Sequence, residues 1–137
     1  MHVKNNYNEC ITNLACSIRK YFELDCQHNT LSYVDKLLEK KQPKNVVVIL
    51  FDGMGSRMLD RVLDKKDFFI KNRKKEITTV FPATTTAATY SVMTGLNPVE
   101  HGYLGWYSYV EPLDKIIMLF RGIEKDSQKV NKEYDEI

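Results

Sequence analysis

The chain has 137 residues, 43% hydrophobic and 28% charged, and its 20 basic and 18 acidic side chains leave a formal net charge of +2. This length suits one domain of ordinary size, and this balance, without repeats or Pro/Gly-rich tracts, belongs to a globular chain rather than a disordered or fibrous one. The charges are interspersed, so the basic footprint of a nucleic-acid binder is missing and no nucleic-acid partner is expected.

The opening "MHVKNNYNEC" lacks the apolar stretch of a secretory leader, and no apolar run approaches the roughly 20 residues of a membrane span, so neither export nor a membrane partner is expected. Cys10, Cys16 and Cys26 are odd in number and lack CxxC spacing, which argues against a disulfide framework and a zinc knuckle. The expected location is a reducing cytoplasm.

Between Tyr7 and Phe22 the apolar residues recur at three and four (Cys10, Ile11, Leu14, Ile18), which predicts a helix with Cys10 and Cys16 as small core residues. A second helix is predicted from Thr30, with Leu31, Val34, Leu37 and Leu38 inward, Lys40 and Lys41 at its negative end, and Pro43 as its stop. "NVVVILF" (45–51) is β-branched and does not alternate, as in a strand covered on both faces of a parallel sheet. Met58, Leu59, Val62 and Leu63 then have helical spacing, and "EITTVF" (76–81) reads as the next strand. "NRKKE" (72–76) reads as a solvated turn. "TTTAATYSVMTGL" (84–96) follows as a small-residue helix capped by Gly95, and "YSYV" (107–110) and "KIIMLF" (115–120) as strands joined by a turn at Pro112 and Asp114. From Arg121 the periodicity is lost. The expected organisation is a helical segment over 1–43 packed on an α/β core over 44–123, with a polar, frayed or truncated end over 124–137.

An acid directly after the first strand lies where the carboxyl ends of a parallel sheet face a ligand crevice, so Asp52 is a candidate metal or substrate contact; the alternative is that it caps the next helix. "GMGSRM" lacks the third glycine of a dinucleotide loop, and no Walker-type phosphate loop is present. Thr84, Thr85 and Thr86 fall at a helix start, where free N–H groups and the dipole favour phosphate oxygens. A threonine there either caps the helix or attacks phosphorus, and as a nucleophile it needs a base or a metal to lower its pKa.

"VVVILFDGMGSRML", followed by Thr85 within "FPATTTAATYSVMTGLNPVEHGYLGW", resembles the N-terminal part of the alkaline phosphatase superfamily, in its type I phosphodiesterase/nucleotide pyrophosphatase branch. The likeness runs over about 45–121 and includes "TGLNPVEHG" (94–102). The resemblance implies a parallel-sheet core with flanking helices and a metal-dependent phosphohydrolase acting on a small-molecule phosphate ester. It implies that Asp52 binds one of two divalent ions, zinc first and manganese second. By position, Thr85 would bind metal as well and form the covalent phospho- or nucleotidyl-enzyme, with Thr84 and Thr86 flanking it without an assigned role.

Two departures qualify what the resemblance implies. The asparagine with which nucleotide pyrophosphatases hold a phosphate oxygen would fall near Trp106, where there is none; Trp106 itself reads first as a buried structural tryptophan, and otherwise as a stacking surface for a base or the wall of another pocket. The family also draws further aspartates and histidines from a C-terminal half that these residues do not contain. His101 is the one histidine near the motif and reads as loop packing; His2 and His28 lie outside the matched segment. The expectation is an incomplete N-terminal portion, inactive alone: half of an enzyme completed by a C-terminal polypeptide, or a non-catalytic remnant. A phosphomutase-type transferase on the same scaffold stays open.

Overall fold

The computed structural model describes residues 4–136. Helix α1 (Ile11–Tyr21) starts after Cys10, whose N–H donates to Asn13 Oδ1 at 2.9 Å, so a side chain three residues on satisfies a main-chain group at the helix entrance. The helix predicted from residue 7 begins later because the preceding residues pair elsewhere. Asn5 Nδ2 donates to Thr79 O, the Thr78 N–H to Glu9 O and the Ile11 N–H to Thr78 O, at 2.8, 3.0 and 3.1 Å. Cys10 and Thr78 thereby form an isolated parallel bridge.

Helix α2 (Ser32–Lys41) buries Leu31, Val34 and Leu38 against Leu14, Ile18 and Tyr21 of α1. Each such side chain contributes about 1.5–3 kcal/mol relative to exposure. Ser17 Oγ accepts the Leu31 N–H at 2.8 Å, which fixes where the second helix meets the first. Gln42, with φ at +44°, ends α2 just before Pro43.

Cys16 and Cys26 are joined in a disulfide with Cα atoms 5.5 Å apart, which corrects the expectation of no disulfide. The loop after α1 folds back along that helix, and an odd count with no CxxC motif says nothing against a single loop-closing bridge. Cys10 remains free and buried, packed with Val80 and Ala87.

Residues 45–51 run extended and join no ladder: no main-chain hydrogen bond ties them to another segment among the described residues. Val47 is 81% exposed and Ile49 69%. Two short helices follow, α3 (Ser56–Val62) and α4 (Phe68–Asn72), neither burying a residue, with Phe69 edge-on to Phe51 at 5.7 Å. The parallel-sheet core expected around this segment is not formed among the described residues. A strand is completed only by neighbours on its two edges and cover on its two faces; among the described residues 45–51 has no edge neighbour, and only its ends, Val46 and Phe51, are packed.

Helix α5 (Thr85–Thr94) packs on α1 through buried Ala87 and ends at Gly95, whose φ of +74° is the left-handed cap anticipated for it. Helix α6 (Pro98–His101) follows: the Asn97 N–H donates to Glu100 Oε2 at 2.6 Å, and Pro98 takes the first helical position, where its missing N–H costs nothing. The sheet that does form is antiparallel, in the order β1 (Tyr107–Val110), β2 (Lys115–Met118) and β3 (Ile123–Glu124). A 3₁₀ turn at Glu111–Leu113 and Asp114 at φ +50° join β1 to β2, at the turn read from Pro112 and Asp114. Ile117 is fully buried. Where the periodicity is lost the chain still folds back: the Asn131 N–H donates to Gly122 O at 2.7 Å, and Ile123 bridges Val130. No helix among the described residues is long and apolar enough to cross a membrane.

Candidate active site

The extended run 45–51 delivers Asp52 to a turn at Asp52–Gly53, with Gly53 at φ +66°. The N-cap of α3 is Gly55 and no side chain caps that helix, so the capping alternative for Asp52 is not realised. The carboxylate instead faces Thr85: Oγ1 of Thr85 lies 3.4 Å from Asp52 Oδ1 and 3.5 Å from Oδ2. Residues 33 positions apart in the chain therefore meet at this turn.

The three adjacent threonines divide by role. Thr84 is the N-cap of α5, its Oγ1 accepting the Ala87 N–H at 3.2 Å and donating to Leu104 O at 3.0 Å. Thr86 is fully buried beneath the helix. Thr85, at the first helical position, is half-buried, and its hydroxyl is directed to the Asp52 carboxylate at the positive end of the α5 dipole. The segment leading into the turn is held to the N-terminus by Tyr7: the Phe81 N–H donates to Tyr7 Oη at 3.1 Å, and the phenol donates to Phe81 O at 3.3 Å.

Asp52 and Thr85 open onto a cavity of about 720 Å³ whose walls include Gly55, Ala88, Arg73 and Lys75. The "NRKKE" stretch, read as a solvated turn, thus contributes two cations to the cavity wall. Each is ion-paired, Arg73 with Asp60 and Lys75 with Glu9. The hydrogen bond from Arg73 holds the Asp60 carboxyl below its usual range and raises the guanidinium in turn. Nothing in the local pattern signalled this placement, because the stretch turns toward the cavity only after α4.

His101 is committed to packing, as read. Its Nδ1 accepts the Tyr103 N–H at 3.0 Å and its Nε2 lies 3.0 Å from Ser91 Oγ; burial lowers its pKa, against a raising effect from a hydrogen bond to the Ala87 backbone. His28, absent from the site reading, reaches across the fold to Glu100, with Nε2 2.7 Å from Oε2. "TGLNPVEHG" is thus a capped corner clasped by His28. Trp106 is 48% exposed and tilted against Phe120 at 6.1 Å, so it is not the buried tryptophan anticipated.

Among the described residues no group of three or more His, Cys, Asp and Glu side chains could hold a metal ion. The pair Asp52 and Thr85 offers hard oxygen donors of the right kind for a divalent cation but only part of a coordination shell.

A carboxylate and a helix-start hydroxyl meeting at a cavity are features of a phosphate-ester site. The family model for type I phosphodiesterase / nucleotide pyrophosphatase matches residues 46–132, most of the chain, and the chain belongs to that family. No curated protein and no solved structure matches it. The family works on small-molecule phosphate esters and is generally metal-dependent.

Proposed function

We propose that the chain is the N-terminal portion of a metal-dependent phosphoric ester hydrolase in which Thr85 is the nucleophile and Asp52 and Thr85 are cation ligands. The observation that supports this is the approach of the Thr85 hydroxyl to both oxygens of Asp52 at the first turn of α5. Phosphoryl oxygens of the substrate settle at the helix start. Thr85 Oγ1 forms a bond to phosphorus as the ester oxygen departs on the opposite side, and water then cleaves the threonine ester and restores the hydroxyl. Asp52 orients the hydroxyl. A divalent cation, zinc first and manganese second, supplies the lowering of the hydroxyl's pKa when bound.

Two oxygen donors make half of a four-coordinate zinc shell, so the reading includes further donors from outside residues 4–136, with a complementing C-terminal polypeptide as one source. The same donor count favours a second reading, in which the chain alone binds a cation weakly and does no chemistry. Calorimetry with zinc tests the ligand assignment: the chain binds one ion weakly, and Asp52→Asn loses the heat. Hydrolysis of bis(4-nitrophenyl) phosphate with zinc or manganese tests the nucleophile, since activity in the completed protein disappears in Thr85→Ala and partly returns in Thr85→Ser. Zinc binding indifferent to both positions overturns the proposal.

A further inference from the structure

The loop between α1 and α2 has no regular structure and is fastened to the rest of the fold at few points. Residues 22–25, Gln27 and Asn29 are exposed, whereas Cys26 and His28 are half-buried. Cys26 is bonded to Cys16, which is fully buried on α1. Two residues on, His28 Nε2 lies 2.7 Å from Glu100 Oε2 and 3.2 Å from Asn97 Nδ2, at the corner between α5 and α6. Other ties run to main-chain carbonyls: Asp25 O accepts from Arg19 Nε and Asn29 O from Asn13 Nδ2, both at 2.9 Å. The corner continues to Leu104, whose carbonyl accepts the Thr84 hydroxyl beside the candidate site.

We infer that the Cys16–Cys26 disulfide is a redox-controlled latch: oxidised, it docks the loop on the α5–α6 corner through His28, and reduced by a dithiol, it releases the loop. The two sulfurs are unequal in access. Cys16 is closed off inside and Cys26 lies on the half-exposed side, so a thiolate of the reductant attacks the Cys26 sulfur and Cys16 is the leaving group. The second thiol of the reductant then displaces Cys26. In sum, two electrons and two protons pass from the dithiol to the bridge, leaving a cyclic disulfide and two cysteine thiols.

The buried sulfur already has a partner for its reduced form. Cys16 Sγ lies 3.5 Å from the carbonyl of Gly95, the residue that ends α5, so the thiol formed there has an acceptor without moving. Reduction thus leaves Cys16 in place and frees Cys26. Without the bond the loop rests on hydrogen bonds at or near the surface, which water replaces at little net cost. His28, two residues from Cys26, then leaves Glu100. Glu100 Oε2 also accepts the Asn97 N–H at 2.6 Å, so losing His28 loosens that contact at the start of α6. The α1–α2 pair stays closed, because the cluster of Leu31, Val34 and Leu38 does not involve the bridge. Such opening of a thinly anchored loop costs far less than global unfolding.

This inference stands apart from the roles proposed for Asp52 and Thr85. The purified full chain is equilibrated with oxidised or reduced dithiothreitol, and its thiols are alkylated after denaturation. Mass spectrometry should find one free thiol in the oxidised chain, Cys10, and all three cysteines free in the reduced one. On reduction, cleavage after Glu23 by a glutamyl endopeptidase should rise about tenfold and amide exchange at Asn97 about threefold, with the circular dichroism unchanged. Cys26→Ser without reductant should reproduce both changes. In His28→Gln the Asn97 amide should already exchange at the faster rate, so reduction still opens the loop at Glu23 and no longer alters Asn97. Three free thiols under the oxidising condition, or cleavage at Glu23 indifferent to reduction, overturns the inference. Loss of the helical signal on reduction also overturns it, by making the bridge a staple of the whole fold. A response at Asn97 that persists in His28→Gln removes His28 from the latch and overturns the docking.

Discussion

Val80 and Val47 sit in two extended segments that look alike in sequence, yet Val80 is fully buried and Val47 is 81% exposed. Val80 lies among Cys10 and Ala87, with residues 5–11 hydrogen-bonded alongside and α5 beyond. Val47 follows a chain that leaves the α1–α2 pair and, among the described residues, finds no edge to join. An apolar β-branched run states how much cover a strand needs; what supplies that cover is a matter of the rest of the fold.

The sharpest way to break this comparison is to truncate one leucine in each region. Leu38, 7% exposed in the α1–α2 cluster, should lose about 3 kcal/mol of stability on replacement by alanine, as large-to-small changes in packed cores do. Leu50, half exposed, should lose less than about 0.5 kcal/mol in the isolated chain. Chemical denaturation of both variants measures the pair, and comparable losses would mean that 45–51 is covered in solution and the contrast false.

The helices were legible because their signals are local. The three-and-four spacing over α1, the basic end of α2 and the glycine at 95 each act within a turn of the helix they define. The Asp52–Thr85 meeting was legible only through a motif, since no periodicity relates residues so far apart. What could not be read depends on side chains converging from different elements: the His28–Glu100 clasp, the Cys16–Cys26 bridge and the placement of Arg73 and Lys75 on the cavity wall. The parallel sheet is not formed among the described residues for the complementary reason. Its signature in 45–51 is genuine, but a ladder is a property of a pair of segments.

Gly95 offers the next largest effect. At φ +74° an alanine adopts a disfavoured left-handed conformation, and its Cβ would lie 3.0 Å from Arg19 Cδ, which can swing aside, and 3.5 Å from Cys16 Sγ. Gly95→Ala should cost about 1–2 kcal/mol, nearly all of it backbone. Gly55, which has open space around it and no positive φ, should tolerate alanine at little cost. Thermal denaturation of the two variants checks the difference, and an unaffected Gly95→Ala would remove the α1–α5 junction from the well-packed region.

Thr84 and Thr85 sharpen the comparison at the site itself. Thr84→Ala should cost about 1 kcal/mol through the lost cap on the Ala87 N–H, with Thr84→Ser restoring most of it. Thr85→Ala should change stability by less than about 0.5 kcal/mol, because its hydroxyl makes only the long contact to an exposed Asp52. Urea midpoints read both; a cost at 85 as large as at 84 would make Thr85 a structural residue and weaken its assignment as nucleophile.

The smallest expected effect is a pH dependence at the corner between α5 and β1. Burial pushes the Glu100 carboxyl up, but the Asn97 N–H and His28 together outweigh it and hold the group below the usual carboxylate range. A carboxylate with a depressed folded pKa contributes stability that is present above its unfolded value of about 4.3 and is lost as pH falls through the folded one. Glu100 is exposed to solvent, so this contribution is a few tenths of a kcal/mol at most. His101 works in a separate window: its lowered pKa favours the neutral ring in the fold, so stability is lost as pH falls from about 6.5 through its folded value. Glu100→Gln should therefore lie slightly below wild type at about pH 7 and converge with it as the pH falls from about 4.3 through the folded value, whereas a His101→Gln comparison changes as the pH falls from about 6.5. Urea midpoints at about pH 7, 5.5 and 3.5 distinguish these windows. A Glu100→Gln deficit that persists unchanged at the lowest pH would show that the residue acts through packing, and that the clasp to His28 is not held by charge.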